Sequence, residues 1–183
     1  INTSGTTTNH GIRLDTSVND TIVLNNTINT GGSGSANEGM IILTRGYRNN
    51  FTHNRVLTRG TTDNYGIRLV TNADFNIVEY NNVTTNGTTS SNIGILSTTS
   101  MMNNITNNVV VANGGGTNAE GIRLQVDTNT TWIAFNNVST QGTSSSNHGI
   151  VLQSRSGNSN ITNNTVNTSG TTNNYGINLD TSV

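Results

Sequence analysis

The sequence predicts an all-β fold in which short coils of backbone stack on one another as a parallel solenoid. The first observation is a G-I-x-L string, or a near variant, whose Gly falls at 11, 39, 66, 94, 121, 149 and 176, in steps of 28 and 27 residues. The second is the string [VIF]-x-x-N-x-[IV]-x-T-x-G, whose Asn falls at 26, 54, 81, 108, 136 and 164. The third is a composition of 35 Asn, 33 Thr and 17 Ser in 183 residues, which disfavours helix interiors.

The repeat itself separates a solenoid from its alternatives. Ile, Leu, Val and Phe make up about 23% of the chain, close to the level at which disorder is expected. Disordered sequence has no reason to keep such a register, however. Each unit holds too few apolar positions to bury a core alone, so neighbouring units must stack. β-Branched residues in short alternating runs between Asn and Gly turns indicate strands, and no helical period appears.

Each coil is predicted to contain three strands followed by a polar loop of variable length. The segment SGTTTNH, residues 4–10, is such a loop and ends at the Gly that opens coil 1. The predicted strands of coil 1, with their inward residues, are Gly11–Asp15 (Ile12, Leu14), Thr21–Leu24 (Val23) and Asn26–Thr30 (Ile28, Thr30).

One Asn per coil stands where the inward alternation is interrupted. In coil 1 this residue is Asn26, between the inward Val23 and Ile28. Stacked amides can hydrogen-bond from coil to coil, which satisfies groups that would otherwise be buried without partners. The alternative is a solvent-exposed turn residue. The predicted asparagine ladder is Asn26, Asn54, Asn81, Asn108, Asn136 and Asn164.

These GIxL and I-x-x-N-x-[IV] strings resemble those of right-handed parallel β-helix repeat proteins, including NosD-like proteins and bacterial and archaeal surface proteins. The resemblance covers the whole chain and implies a right-handed parallel β-helix with about 6.5 coils of 27–28 residues. At roughly 4.8 Å per coil the rod would be on the order of 30 Å long. The family includes polysaccharide lyases, periplasmic proteins and adhesive or structural shafts. We expect residues 1–183 to form a single segment of a longer array, without caps of its own.

Two outward columns alternate with a 55-residue, two-coil period. We therefore predict lateral contacts through Ile41, Leu96 and Val151 in the first column and Ile22, Ile77 and Trp132 in the second. Replacing Ile41, Leu96 and Val151 by Asn is expected to abolish association and leave the fold intact. Duplication of a two-coil gene segment, without selection for contact, is the alternative. The columns read Arg13, Ile41, Arg68, Leu96, Arg123, Val151, Asn178 and Ile22, Asn50, Ile77, Asn104, Trp132, Asn160.

Charge and composition restrict the classes of partner. The eight basic residues are all Arg and the net charge is −1, so no nucleic-acid footprint is expected. No apolar run approaches a membrane span, and without Cys there are no disulfides.

The row Arg13, Arg68 and Arg123 is a weak candidate for polyanion contact, with solvated surface residues as the alternative. Sequons at Asn50, Asn104 and Asn160 are the first candidates for glycosylation, because the Asn and Thr of each are predicted to face outward.

A search for catalytic chemistry predicts no catalytic, cofactor or metal site. The nine acids do not repeat in any one column of neighbouring coils. Glu38 and Glu120 both precede a Gly but lie three coils apart. His10 and His148 share a column with Tyr65 and Tyr175, which indicates a tolerant position for a ring.

We therefore expect a non-enzymatic structural protein, the shaft of an extracellular fibre, sheath, surface layer or adhesin. Its expected partners are identical copies of the chain, with glycans as a second class. The alternative is a carbohydrate-binding or polysaccharide-processing β-helix whose active coils lie outside this segment. Ice binding is a remote third: the regular Thr column, from Thr3 to Thr168, is predicted to face the core.

Overall fold

A computed structural model describes residues 1–180. Residues 181–183 of the predicted segment lie outside the described residues. Twenty short strands account for the regular structure, and the described residues contain no helix. The strands are β1 Asn2–Gly5, β2 His10–Leu14, β3 Ile22–Leu24, β4 Thr27–Gly32, β5 Glu38–Ile42, β6 Asn50–Thr52, β7 Arg55–Gly60, β8 Asn64–Val70, β9 Ile77–Glu79, β10 Asn82–Gly87, β11 Asn92–Thr98, β12 Asn104–Thr106, β13 Val109–Gly114, β14 Ala119–Gln125, β15 Trp132–Ala134, β16 Asn137–Gln141, β17 Ile150–Gln153, β18 Asn160–Thr162, β19 Thr165–Ser169 and β20 Ile177–Asp180.

The strands form three parallel sheets, and each coil contributes one strand to each. Sheet A contains β1, β4, β7, β10, β13, β16 and β19; sheet B contains β2, β5, β8, β11, β14, β17 and β20. Sheet C contains β3, β6, β9, β12, β15 and β18. We number the coils from 1 (β2, β3, β4) to 6 (β17, β18, β19). The predicted parallel solenoid with three strands per coil is confirmed.

The core consists of the inward columns predicted from the repeat. Val23, Ile28 and Thr30 of coil 1 are buried, and their counterparts fill the interior of every following coil. Ile12 and Leu14 are partly buried and pack against the same cluster. The Thr column also faces inward as predicted, since Thr58 and Thr85 are fully covered.

The recurrent Gly of the GIxL string is required by space. A Cβ built on Gly66 would lie 2.1 Å from Cγ1 of Val83 in sheet A and 2.5 Å from the carbonyl oxygen of Gly94. The same two contacts occur at Gly94, with Val110 and Gly121. Since neither Gly has a positive φ, the close approach of sheet B to sheet A excludes any larger residue.

The predicted asparagine ladder is confirmed. Nδ2 of Asn54 donates to Oδ1 of Asn81 at 3.0 Å, and Nδ2 of Asn81 donates to Oδ1 of Asn108 at 3.1 Å. Each of these amides also donates to a core carbonyl, as Asn81 does to Phe51. The same bond links every consecutive pair from Asn26 to Asn164. The ladder occupies the corner between sheets C and A.

The other two corners carry similar stacks that the sequence reading missed. Between sheets A and B, Asn37 donates to Asn64 at 3.1 Å and Asn64 donates to Asn92 at 2.9 Å. Ala119 interrupts this stack. Between sheets B and C, Asn49 donates to Asn76 at 3.1 Å. An Asn two residues before six of the seven GIxL Gly residues was the available signal for the stack between sheets A and B.

Every corner turns on a residue with positive φ immediately before the ladder position. At the corner between sheets C and A these include Asn25, His53, Tyr80 and Phe135, with φ of 53° to 57°. Asn tolerates this left-handed conformation, whereas bulky residues rarely adopt it. The corners therefore point side chains away from the rod, and some coils place large rings there.

Candidate functional surfaces

The outer face of sheet C, together with its two corners, carries exposed apolar residues in four of the six coils; we call it the sheet C face. Ile22 is 68% exposed and Trp132 is 52% exposed. Both belong to the column predicted to make lateral contacts, and Ile77 in the same column is half-buried. The exposed apolar residues of this face are Ile22, Leu24, Phe75, Tyr80, Met102, Trp132 and Phe135. Isolated exposed apolar residues are common in soluble proteins, but a contiguous set indicates a contact surface.

Polar notches alternate with these apolar residues along the sheet C face. Asn50 lies in register between Ile22 and Ile77, and Asn104 lies between Ile77 and Trp132. In the described structure, Oδ1 of Asn50 and Oδ1 of Asn104 are buried and accept no hydrogen bond. A buried acceptor without a donor is costly, and either oxygen can reach a donor outside the chain once its amide turns outward.

Rings stack along the corner between sheets C and A. The His53 and Tyr80 rings are stacked with centroids 5.0 Å apart. Phe135 occupies the same position two coils beyond Tyr80 and is exposed. The corner thus carries solvent-exposed aromatic rings, which are common in recognition surfaces.

The prediction of exposed apolar spots in the sheet B column is wrong. Ile41, Leu96 and Val151 do lie outside the coil, but they are 1%, 4% and 3% exposed. Arg68 stands in register next to Ile41 and reaches back into coil 2. Arg123 likewise reaches forward to Gln153, beside Val151. Because Arg lays its aliphatic stem over apolar surface, Arg68 covers Ile41 and Arg123 covers Val151, while Leu96 lies in register between the two arginines.

A buried triad of Glu38, Arg68 and His10 holds the first of these arginines in place. Glu38 is 2% exposed and lies 2.6 Å from Nη1 of Arg68 and 2.7 Å from Nδ1 of His10. The guanidinium of Arg68 also lies over the Tyr65 ring, at 4.9 Å from its centroid. Burial and the nearby Asp63 carboxylate raise the pKa of Tyr65 to about 12. His10, which the sequence places in a tolerant column, thus contacts a buried carboxylate.

A polar cavity of about 280 Å³ opens on sheet B between coils 5 and 6 and β20. Glu120, Arg123, His148, Gln153 and Asp180 line it. Arg123 Nη1 lies 3.1 Å from a Glu120 oxygen, and Gln153 donates to Asp180 at 3.2 Å. Sequence reasoning missed this site because it compared acids within one column, whereas Glu120 and Asp180 stand in different columns.

Burial sets the protonation states in this cavity. It raises the pKa of Glu120, an effect that the neighbouring Arg123 partly offsets. Burial, and then the charge of Arg123, lower the pKa of His148. The backbone N–H of Tyr175 donates to Nδ1 of His148 at 3.2 Å, so the neutral ring carries its proton on Nε2. The cavity therefore combines hydrogen-bond donors and acceptors of mixed charge.

The remaining predicted site residues fall into two groups. Arg13, Arg68 and Arg123 each have a carboxylate partner within 3.1 Å, so the row is neutralised internally and the structure does not favour polyanion contact. Of the sequon residues, Asn160 is exposed, while Asn50 and Asn104 are half-buried. Thr52 and Thr106 of those sequons are almost fully covered, at 7% and 8% exposure. The expectation that they are open to solvent is wrong.

Residues 1–180 contain neither a candidate metal-binding cluster nor a candidate membrane-spanning helix. Within that range no three His, Asp or Glu side chains are grouped so that they could hold a metal ion. That range likewise holds no helix with the length and hydrophobicity to cross a membrane.

Comparisons with known proteins assign this chain to no family, so only its fold can be stated. No protein-family model matches it, and neither the curated proteins nor the solved structures yield a match. The chain is a parallel β-solenoid with stacked asparagines.

Proposed function

We propose that this chain is a non-enzymatic structural rod that works outside the cell, as the shaft of a fibre, sheath, surface layer or adhesin. The supporting observation is the continuous ladder of six amides, which runs through all six coils in one register. Each of the four inner amides bonds to both the next coil and a core carbonyl, so bending or shearing the rod breaks buried hydrogen bonds, which are costly to leave unmade. The likeness to surface β-helix repeat proteins in the GIxL strings fits this role.

The surface chemistry supports the same proposal. Charged groups on sheet B are paired within the molecule, whereas the sheet C face presents rings and aliphatic side chains to solvent. A rod that packs sideways against identical copies needs such a face. Glycosylation is the competing use of this face: Asn160 is the most accessible of the three candidate sequons, and a glycan there would occupy the surface that sideways packing needs.

Electron microscopy of the native material tests the proposal. We expect ordered fibres or sheets with a spacing that reflects the rod. Dispersed monomers together with sugar-degrading activity in the purified protein would overturn it. Intact mass spectrometry on the same material tests the glycan: a mass equal to that of the bare chain would remove glycosylation from the proposal.

A second candidate, carbohydrate binding, is favoured by the polar cavity on sheet B. Its mixed donors and acceptors suit hydroxyl groups, which both donate and accept. Titration with neutral and acidic oligosaccharides, followed by nuclear magnetic resonance of the His148 ring, tests this reading. Shifts that saturate in the native protein and vanish in Glu120→Gln would support it, and an unperturbed ring across the whole series would remove it. Ice binding gains no support, since Thr30, Thr58 and Thr85 face the core.

A further inference from the structure

We propose that the sheet C face is the interface with a second copy of this chain, docked antiparallel about a two-fold axis that runs along the strands between coils 3 and 4. Coil 1 of one copy then faces coil 6 of the other, coil 2 faces coil 5, and coil 3 faces coil 4. The inference rests on the proposed structural function and gives its lateral contact a partner and a register.

The central column of the face is complementary to itself in this arrangement. Odd coils carry Ile22, Ile77 and Trp132, while even coils carry Asn at the same position. The two-fold operation joins an odd coil to an even coil at every level, because the coil numbers of each pair sum to seven. The resulting pairs are Ile22 with Asn160, Trp132 with Asn50, and Ile77 with Asn104. Ridges thus meet notches over the whole length of the face.

The pairing also supplies the donor that one notch lacks. Trp132 is half-exposed and its indole N–H is a donor only. Antiparallel docking places it opposite the half-buried Asn50, whose Oδ1 has no partner within the described chain and accepts the indole N–H once the amide turns outward. Trp is the residue type most often found at the energetic centre of protein interfaces, where ring burial and a hydrogen bond act together.

Both corners agree with the same axis. At the corner between sheets B and C, Phe75 of one copy meets Met102 of the other, a favourable contact of sulfur with an aromatic ring. At the opposite corner His53 meets Phe135. No pair brings like charges together. Asp20 and Arg48, which are paired within the chain, face Asn158 and Thr130.

The backbone gives a reason to prefer contact over inherited duplication. Phe75, Tyr80 and Phe135 have φ of 58°, 53° and 57°, a conformation that bulky side chains rarely adopt. Other coils place Asn25, Asn107 and Asn163 at the position of Tyr80 and Phe135, and coil 6 places Asn158 at the position of Phe75. Because Asn is the less strained choice, the rings are retained against a local cost, which an interface would offset.

The small area of the face indicates that two chains of this length bind each other weakly. Longer arrays of the same coils would bind more tightly. Six rungs at roughly 4.8 Å, and five residues at roughly 3.3 Å, give a patch of about 24 Å by 16 Å. That is below the size of a standard stable interface, so we expect association at high protein concentration. Further coils of the same repeat would add contacts in the same register and raise the avidity.

The experiment exchanges the two residues that face each other. Trp132→Asn gives coil 5 the residue that coils 2, 4 and 6 already hold, and we expect the dimer, measured by sedimentation equilibrium, to weaken at least tenfold. The double variant Asn50→Trp, Trp132→Asn restores the contact only if positions 50 and 132 face each other, and we expect it to recover dimerisation. Leu57→Asn is the matched control on sheet A, where coils 1 and 6 hold Asn29 and Asn167 in the same column. Circular dichroism checks that every variant is folded.

Failure of this arrangement is distinguishable from failure of the structural role. Unchanged dimerisation of Trp132→Asn, or no recovery in the double variant, overturns the register while leaving electron microscopy to decide the structural function. A second readout uses the absence of Cys: Arg48→Cys and Thr130→Cys chains are mixed and treated with a bismaleimide of roughly 10 Å span, the distance between packed sheets. Linked pairs of unlike chains support the arrangement, and linked pairs of like chains only contradict it.

Discussion

Sheets B and C carry outward columns that alternate in the same way in sequence, yet the molecule treats them oppositely. In the sheet B column the aliphatic residues Leu96 and Ile41 are 4% and 1% exposed. In the sheet C column Ile22 is 68% exposed. The difference comes from the residue that alternates with the aliphatic one in each column. Arg, next to Ile41, is long enough to cross a coil and cover it, whereas Asn, next to Ile22, is too short.

This difference shows that outward position and exposure are separate properties in a solenoid. Neighbouring rungs are about 4.8 Å apart, so a long side chain on one coil can shield the next. Charge pairing decides the direction: Arg68 turns toward Glu38 in coil 2 and thereby covers Ile41. Sheet B thus acquires a second, outer layer of buried residues, and sheet C remains available for contact.

The largest effect that would test the comparison is expected for Leu96→Asn. Removing a buried Leu and burying an unpaired amide should lower the free energy of unfolding by about 4 kcal/mol. The midpoint of urea unfolding measures it. A change as small as that of a surface substitution would show that the sheet B column is open after all.

The next effect concerns the triad that keeps sheet B covered. Glu38→Ala leaves Arg68 without its buried partner, and we expect a loss of about 2 kcal/mol, reduced from the full cost of a broken buried pair because Arg68 is 30% exposed. Glu79→Ala, on sheet C, is the control and should change the unfolding midpoint little. Equal losses for the two variants would contradict the role of the triad.

A smaller effect follows from the raised pKa of Glu120 in the cavity of sheet B. Because its folded pKa lies above the ordinary 4.5, the folded state binds the proton more tightly, and stability from this group declines as pH rises through that range. His148, with a lowered pKa, acts in the opposite direction below pH 6.5. We therefore compare the free energy of unfolding of the native protein and of Glu120→Gln as a function of pH. As pH rises from 4.5, the stability of Glu120→Gln should fall less than that of the native protein. Parallel pH profiles would contradict it.

The smallest effect on stability is expected on sheet C. Ile77→Asn places at coil 3 the residue that coils 2 and 4 already carry, so the free energy of unfolding should change by about 0.5 kcal/mol or less. Its consequence should appear in dimerisation instead. A loss of stability close to that of Leu96→Asn would mean that the sheet C face is part of the core.

The fold was predictable from the sequence because its determinants are local and repeat. Asn26 and its counterparts, the Gly of GIxL and the inward Val23, Ile28 and Thr30 all recur at one spacing, and stacking is the arrangement that satisfies them together. The two further Asn stacks were missed because Ala119 and Thr21 interrupt their columns, although the hydrogen bonds continue through the backbone at those places.

The surfaces were only partly predictable. Trp132 and Ile22 are exposed as expected, since their neighbours in register are the short Asn104, Asn160 and Asn50. The covered state of Leu96 and the meeting of Glu120 with Asp180 in one cavity depend on residues 27 to 60 positions apart in the chain. The spacing of residues in the sequence does not predict toward which neighbouring coil a long side chain turns.

The sequence by itself determined the coil length, the three-strand cross-section, the inward columns and the amide ladder, because these follow from which residues are small, apolar or able to bond on both sides. Tertiary structure alone decided which outer face is closed. The ion pair of Arg68 with Glu38 and the hydrogen bond of Arg123 to Gln153 direct these two side chains over a neighbouring coil, and such contacts exist only once successive coils lie side by side.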